Sequence, residues 1–169
     1  MTCLEAVADA KTVQVRLLDD RSDAAEFRKT VTGTVILEDP DSGIALIQIP
    51  SGVCRSADCL GLAQEMPGAG ETVYFFQAVT RIDSKTLNPT VVMNPNAKIG
   101  TRTYIKINLF FDSQSDGAPL LDGKGRLIGF YKSISNLENA GYVIPASLIA
   151  DSLGVKHVLT STEDSEMGS

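Results

Sequence analysis

Hydrophobic and polar positions alternate across residues 12–18, with Val13, Val15 and Leu17 on one side and Gln14 and Arg16 on the other. That period of two predicts a half-buried strand. The polar run 19–23 ends it, and residues 25–29 fit either a helical turn or a strand edge. Residues 30–38 are rich in β-branched side chains and predict a second strand, with Gly33 a candidate bulge. Asp39-Pro40-Asp41-Ser42-Gly43 carries turn chemistry, and residues 44–49 form an apolar strand after it. Residues 50–70 are irregular. Residues 72–79 predict a strand holding Phe75 and Phe76, and 87–93 and 103–107 predict two more, with Asn94-Pro95-Asn96 read as a loop between them. Two apolar runs, Pro119-Leu120-Leu121 and 127–131, flank Asp122-Gly123-Lys124-Gly125, which is the pattern of a hairpin. A short strand is expected over 140–144. The period then changes. Pro145 suits the first turn of a helix, Leu148, Ile149 and Leu153 share a face, and Gly154 can end it. Residues 160–169 are polar and acidic without periodicity. Many short strands with one late helix predict an all-β barrel or sandwich.

Composition narrows this reading. The 169 residues suffice for one domain with a core, and 43% hydrophobic with 21% charged is ordinary for a globular chain. No apolar run approaches the ~20 residues that span a bilayer, so no transmembrane segment is expected. No basic stretch leads into an apolar one at the start, so no signal peptide is expected. The net charge of -6 and the scattered Lys and Arg residues argue against nucleic acid as a partner. Among the three cysteines, Cys54 and Cys59 flank Arg55-Ser56-Ala57-Asp58. They could close a small disulfide or stay as buried or half-buried thiols. The single histidine, His157, lies far from them, and no metal or other cofactor is expected.

The stretch Asp112 to Phe130, DSQSDGAPLLDGKGRLIGF, resembles the nucleophile loop of trypsin-like serine proteases, especially the HtrA/Deg branch. There a Gly-Asn-Ser-Gly-Gly-Pro-Leu segment enters a hairpin. Laid on this chain, it falls on Gln114, Ser115, Asp116, Gly117, Ala118, Pro119 and Leu120. Three further places are similar. Asp39 to Ile47 resembles Asp-Pro-x-x-Asp-Leu-Ala-Val-Leu, with Gly43 where the family's Asp orients the histidine. Residues 104–113 keep the spacing into the nucleophile loop, with Asn108 in place of an Asp. Ala140-Gly141-Tyr142-Val143-Ile144-Pro145 resembles the segment that opens the family's C-terminal helix. Thr2-Cys3-Leu4-Glu5-Ala6-Val7 is similar to Thr-x-x-His-Val-Val, which puts Glu5 at the histidine's place.

The resemblance implies a trypsin-like double β-barrel over residues 1–158, its first barrel truncated at the N-terminus, with a C-terminal helix and a disordered acidic tail or linker at 159–169. The family's first strands have no counterpart. They would precede Met1, come from a partner chain, or be replaced by a loop.

The resemblance also implies what chemistry is left. Acyl transfer needs a nucleophile, a base within reach and a group that orients the base. Those positions read Asp116, Glu5 and Gly43. An aspartate is a poor nucleophile toward an amide, and its charge opposes an oxyanion. No catalytic residue is therefore expected, and a binding cleft is placed at Asp112, Ser115, Asp116, Gly117 and Phe130. Glu5 and Asp116 would share a proton, bind a hard cation with Asp112, or stand solvated in an inert cleft. The function implied is a catalytically inactive domain that binds a peptide or protein, or acts as a scaffold. The alternative is a serine endopeptidase whose missing elements lie outside this chain. Phe75, Phe76, Phe110, Phe111 and Phe130 are expected mainly in the core, with Phe110-Phe111 also able to line the former substrate pocket.

Overall fold

The computed structural model describes residues 1–7, 9–18, 27–54, 59–77, 86–111, 115–134 and 140–148. The alternation at 12–18 does become a strand, and the β-branched run after it pairs with that strand in antiparallel register, Val15 opposite Val31. Four strands form the first sheet: β1 (Thr2–Cys3), β2 (Thr12–Leu18), β3 (Phe27–Asp39) and β4 (Ile44–Gln48), in the order β1-β4-β3-β2. It is open, with β1 and β2 as its edges. Six strands form a closed barrel: β5 (Thr72–Gln77), β6 (Thr86–Ile99), β7 (Arg102–Ile107), β8 (Pro119–Leu121), β9 (Leu127–Lys132) and β10 (Gly141–Pro145), in the order β10-β7-β6-β5-β8-β9. The architecture is thus all-β, a closed barrel beside a half-barrel.

Side-chain capping sets the two tight turns. At the β3–β4 turn, Asp39 Oδ1 accepts from the backbone N–H groups of Asp41 and Ser42 at 3.0 and 3.2 Å, and Ser42 Oγ donates to Oδ2 at 2.7 Å. Gly43 leaves the turn at φ +75°, a conformation that costs little only without a Cβ. At the β8–β9 turn, Asp122 Oδ1 accepts from Lys124 N and Arg126 N at 2.8 Å each, while Arg126 Nε donates to Oδ2 at 2.6 Å. Burial disfavours the Asp122 carboxylate, but these donors and the Arg126 charge outweigh it and hold its pKa below the usual value.

Two packed clusters follow. One fills the barrel, with Val73, Phe75, Ile105, Ile107, Leu120, Tyr131 and Val143 fully buried. Phe111 stacks on Phe75 with ring centroids 4.6 Å apart. The other is the seam between barrel and open sheet, where Cys3 and Ile44 meet Tyr104, Phe130, Tyr142 and Ile144.

Several expectations are corrected. Asn94-Pro95-Asn96 is no loop, because β6 runs through it with register shifts on either side of Asn94. Gly33 is no bulge. It pairs with Val13, and a Cβ there would collide with the Ile47 side chain, so close packing explains the glycine. The bulge on β3 falls between Val35 and Leu37. Cys54 and Cys59 are exposed rather than buried, and no disulfide joins them. Phe110 is 46% exposed and leaves the core set. Of the expected helix, Ser147 and Leu148 are helical, and the rest lies outside the described residues, as does the 159–169 tail. Among the described residues no helix is long and apolar enough to cross a membrane.

Candidate functional site

The site forms where β1 leans on the barrel. Glu5 sits in a single 3-10 turn, Leu4–Ala6, directly after β1. Leu4 N donates to Gly43 O at 2.9 Å, so the β3–β4 turn holds this segment by its backbone. Asp116 follows Ser115, which is 7% exposed, in the turn that leads into β8. Gly117 takes φ +86° and donates from its N–H to Tyr131 O at 2.8 Å. A Cβ at Gly117 would lie 3.2 Å from Thr2 Oγ1 and 3.6 Å from Cys3 N, so β1 packs tightly on this loop. Tyr131 fixes the other end: its hydroxyl donates to Phe111 O at 2.6 Å and accepts from Phe111 N at 2.9 Å.

Glu5 and Asp116 come together around a third residue, Lys132, the last of β9. Lys132 Nζ lies 2.7 Å from Asp116 Oδ2 and 3.2 Å from Glu5 Oε1. Asp116 Oδ1 accepts from Ser133 N at 2.6 Å. The side chains of Lys132 and Asp116 are only 19% and 16% exposed, whereas Glu5 is 59% exposed, so the inner pair is the firmer one. Burial disfavours the ammonium, but hydrogen bonds and charge from Asp116 and then Glu5 outweigh it and raise the Lys132 pKa. Lys132 is therefore charged at neutral pH.

This arrangement replaces the shared-proton and hard-cation expectations: an ammonium already stands between the two carboxylates. Among the described residues no group of three His, Cys, Asp or Glu side chains could hold a metal. Gly43 joins the site only through its carbonyl. A Cβ built there has Arg102 Nη1 and Ile144 Cδ1 as its neighbours within 4 Å, not Glu5. Phe130 is 6% exposed and packs in the seam. Asp112 lies outside the described residues. Sequence reasoning passed over Lys132. The available signal was strand alternation, since Lys132 lies two residues beyond Phe130 and shares its face of β9.

Cys3 sits under the site. Its thiol is 1% exposed and points at Tyr131 O, 3.5 Å away. Burial, followed by the Asp116 charge, pushes its pKa to about 11. It is an inert packing thiol. A cavity of about 610 Å³ opens elsewhere on the seam, lined by Asp41, Ser42, Arg102, Tyr104 and Ile144 among others, and none of Glu5, Asp116 or Lys132 borders it.

A closed six-stranded barrel beside a half-barrel is consistent with a truncated trypsin-like double barrel. Solved structures of HtrA-type and related proteases share it. The Rv3671c protease of M. tuberculosis H37Rv in an inactive form matches with a TM-score of 0.65 and 20% identity over 91% of this chain and 77% of that one. The HtrA-type protease AlgW with a decapeptide matches at TM-score 0.70 and 16% identity, over 92% of this chain and 48% of that one. The MamO protease domain from Magnetospirillum magneticum, in its apo form, matches at 0.61 and 18%, over 89% and 80%. No protein-family model matches the chain, and no curated protein does.

Proposed function

We propose that this chain is a catalytically inactive trypsin-like, HtrA-like domain, spanning residues 1–158, that binds a peptide or protein or serves as a scaffold. The observation that carries this is the ion bridge Glu5–Lys132–Asp116. In the motif resemblance, the positions of base and nucleophile are filled by two carboxylates that meet a charged lysine. Neither can take a proton from a serine or attack an amide. Members of a catalytic triad act as a unit, and losing one removes roughly 10⁴- to 10⁶-fold in rate.

A binding role is supported by two features. AlgW has been solved with a decapeptide, and a shared fold makes an extended peptide a natural ligand class. The first sheet also keeps two edges, β1 and β2, where a partner strand would complete a barrel.

The test is direct. Incubation with a serine-reactive phosphonate and casein should give neither labelling nor cleavage. Turnover that the phosphonate blocks would overturn the reading. Replacing Glu5 by His and Asp116 by Ser should not yield a protease while Lys132 remains between them.

A further inference from the structure

We propose that the open sheet takes up a two-stranded antiparallel β-hairpin from a partner polypeptide, apolar on its inner face, which closes the sheet into a second barrel. The proposal rests on the binding role above and gives the partner its form. The molecule carries its own template for it. The first sheet runs β1-β4-β3-β2, and the barrel contains the same winding in β7-β10-β9-β8. Every pairing in both runs is antiparallel. One further unit closes the barrel: β5 and β6 form a hairpin, with β5 pairing to β8 and β6 to β7, again antiparallel. Among the described residues the first sheet has no counterpart of that hairpin. Its two edges, β2 and β1, stand where β8 and β7 stand in the barrel.

The template also sets the chemistry of the partner. β5 and β6 give the barrel core Val73, Phe75 and Val92, each at most 1% exposed. On the open sheet the facing row is Val13, Val15 and Leu17 of β2 with Val31, Val35 and Leu37 of β3. A Cβ at Gly33 would strike Ile47 and Val15, which puts β4 on the same face. Val31 apart, these valines and leucines stay half-buried, and none of the row belongs to the barrel cluster or the seam cluster. A hairpin with large apolar side chains at alternate positions would cover this row as Val73, Phe75 and Val92 cover the barrel's interior.

The edge is suited to the task. β2 holds no proline or glycine, and Arg16 is its one charged residue. Its register with β3 is unbroken from Thr12 to Leu17. Strands that end a sheet in water are ordinarily blunted by proline, repeated charge, bulges or short length, and β2 has none of these over that span. Alternate backbone groups of an edge strand point away from its single neighbour, so β2 offers a ladder to an incoming strand. β1 is two residues long and packs on the Gly117 loop. Docking therefore falls mainly on β2, antiparallel to it, as β5 lies on β8.

The experiment offers the whole chain a pool of synthetic hairpins: two seven-residue strands joined by Asn-Gly, Thr or Lys outward, and Val, Ile, Leu or Phe inward. A control pool carries Ser or Asn at the inward positions. The chain should retain hairpins from the apolar pool and none from the control. Bound hairpin should slow amide exchange across Val13–Leu17 by at least about tenfold, with no comparable change in the barrel. Val15→Lys should abolish retention, and Val15→Thr, which keeps the side chain's size and so the fold, should weaken it about tenfold. Ile36→Lys, on the opposite and exposed face of β3, should leave it unchanged. No retention, retention indifferent to both Val15 variants, or protection on other strands would overturn the proposal. So would a dimer of the chain that Val15→Lys dissolves, because the edge would then belong to a second copy. A chain inert to the phosphonate that ignores every hairpin sinks hairpin closure and leaves the inactive-domain reading standing; casein cleavage does the reverse.

Discussion

The closed barrel and the open sheet are built from similar strands, yet they bury them very differently. Inside the barrel, Val73, Phe75, Ile105, Ile107, Leu120 and Tyr131 retain no exposure at all. On the open sheet, Val13, Val15, Leu17, Val35 and Leu37 remain half-buried, and Val31 and Gly33 are the buried members of their rows. A closed barrel covers every inner side chain and leaves no edge, whereas four strands ending in β1 and β2 cannot surround an interior. The open sheet is anchored mainly at one end, through Cys3 and Ile44 in the seam and through Glu5 on Lys132. Stability resides in the barrel, and the candidate site is the place where the sheet borrows it.

The contrast can be broken by truncating one residue on each side. Ile105→Ala should cost about 2–5 kcal/mol, while Val15→Ala should cost about 1 kcal/mol, both read from chemical denaturation. Comparable losses would mean the open sheet is packed as well as the barrel. Glycine replacements sharpen the point. A Cβ at Gly129 collides with the Ile144 backbone, which cannot yield, so Gly129→Ala should cost about 1–3 kcal/mol. At Gly33 the obstacles are the Ile47 and Val15 side chains, and Gly33→Ala should cost less.

The seam itself is next in size. Lys132→Met strands the Asp116 carboxylate and should cost about 1–3 kcal/mol, whereas Glu5→Gln, at an exposed carboxylate, should cost under about 0.5 kcal/mol. A double-mutant cycle should find stronger coupling between Lys132 and Asp116 than between Lys132 and Glu5. Base should loosen the same seam. The Cys3 thiol rises from its ordinary 9.0 to about 11, so its share of stability is complete below pH 9 and is lost as pH climbs through 11. Lys132 is also raised, from 10.5, so its share is complete below that value and fades above it. Denaturation midpoints across pH 8–12 should therefore decline, and Cys3→Ala should flatten the earlier part of that decline while Lys132→Met flattens the later part.

Most strands were legible because alternation is a local property. The 12–18 pattern is β2 to the residue, and the Asp39 and Asp122 turns announced themselves through their capping carboxylates. Asn94-Pro95-Asn96 misled because turn-forming residues also suit bulges, and β7 pairs with β6 on both sides of the segment, Asn94 with Lys106 and Ala97 with Tyr104. Glu5 and Asp116 both meet Lys132, and motif spacing said nothing about that lysine, which comes from a strand read only as apolar core. The Gly33 packing and the direction a side chain would take at Gly43 depend on contacts between strands distant in sequence, which no single segment encodes.

The lysine between two acids also limits which exchanges the junction can take. A histidine at 5 and a serine at 116 could not simply be introduced one at a time. A serine at 116 would leave Lys132 half-buried without its 2.7 Å partner and Ser133 N–H without its acceptor, and a histidine at 5 would face a fixed positive charge. Each intermediate is poorer than its starting point, and Lys132 would have to change as well. The junction thus answers to Glu5, Asp116 and Lys132 as one unit, and an exchange at any one of them is felt at the other two.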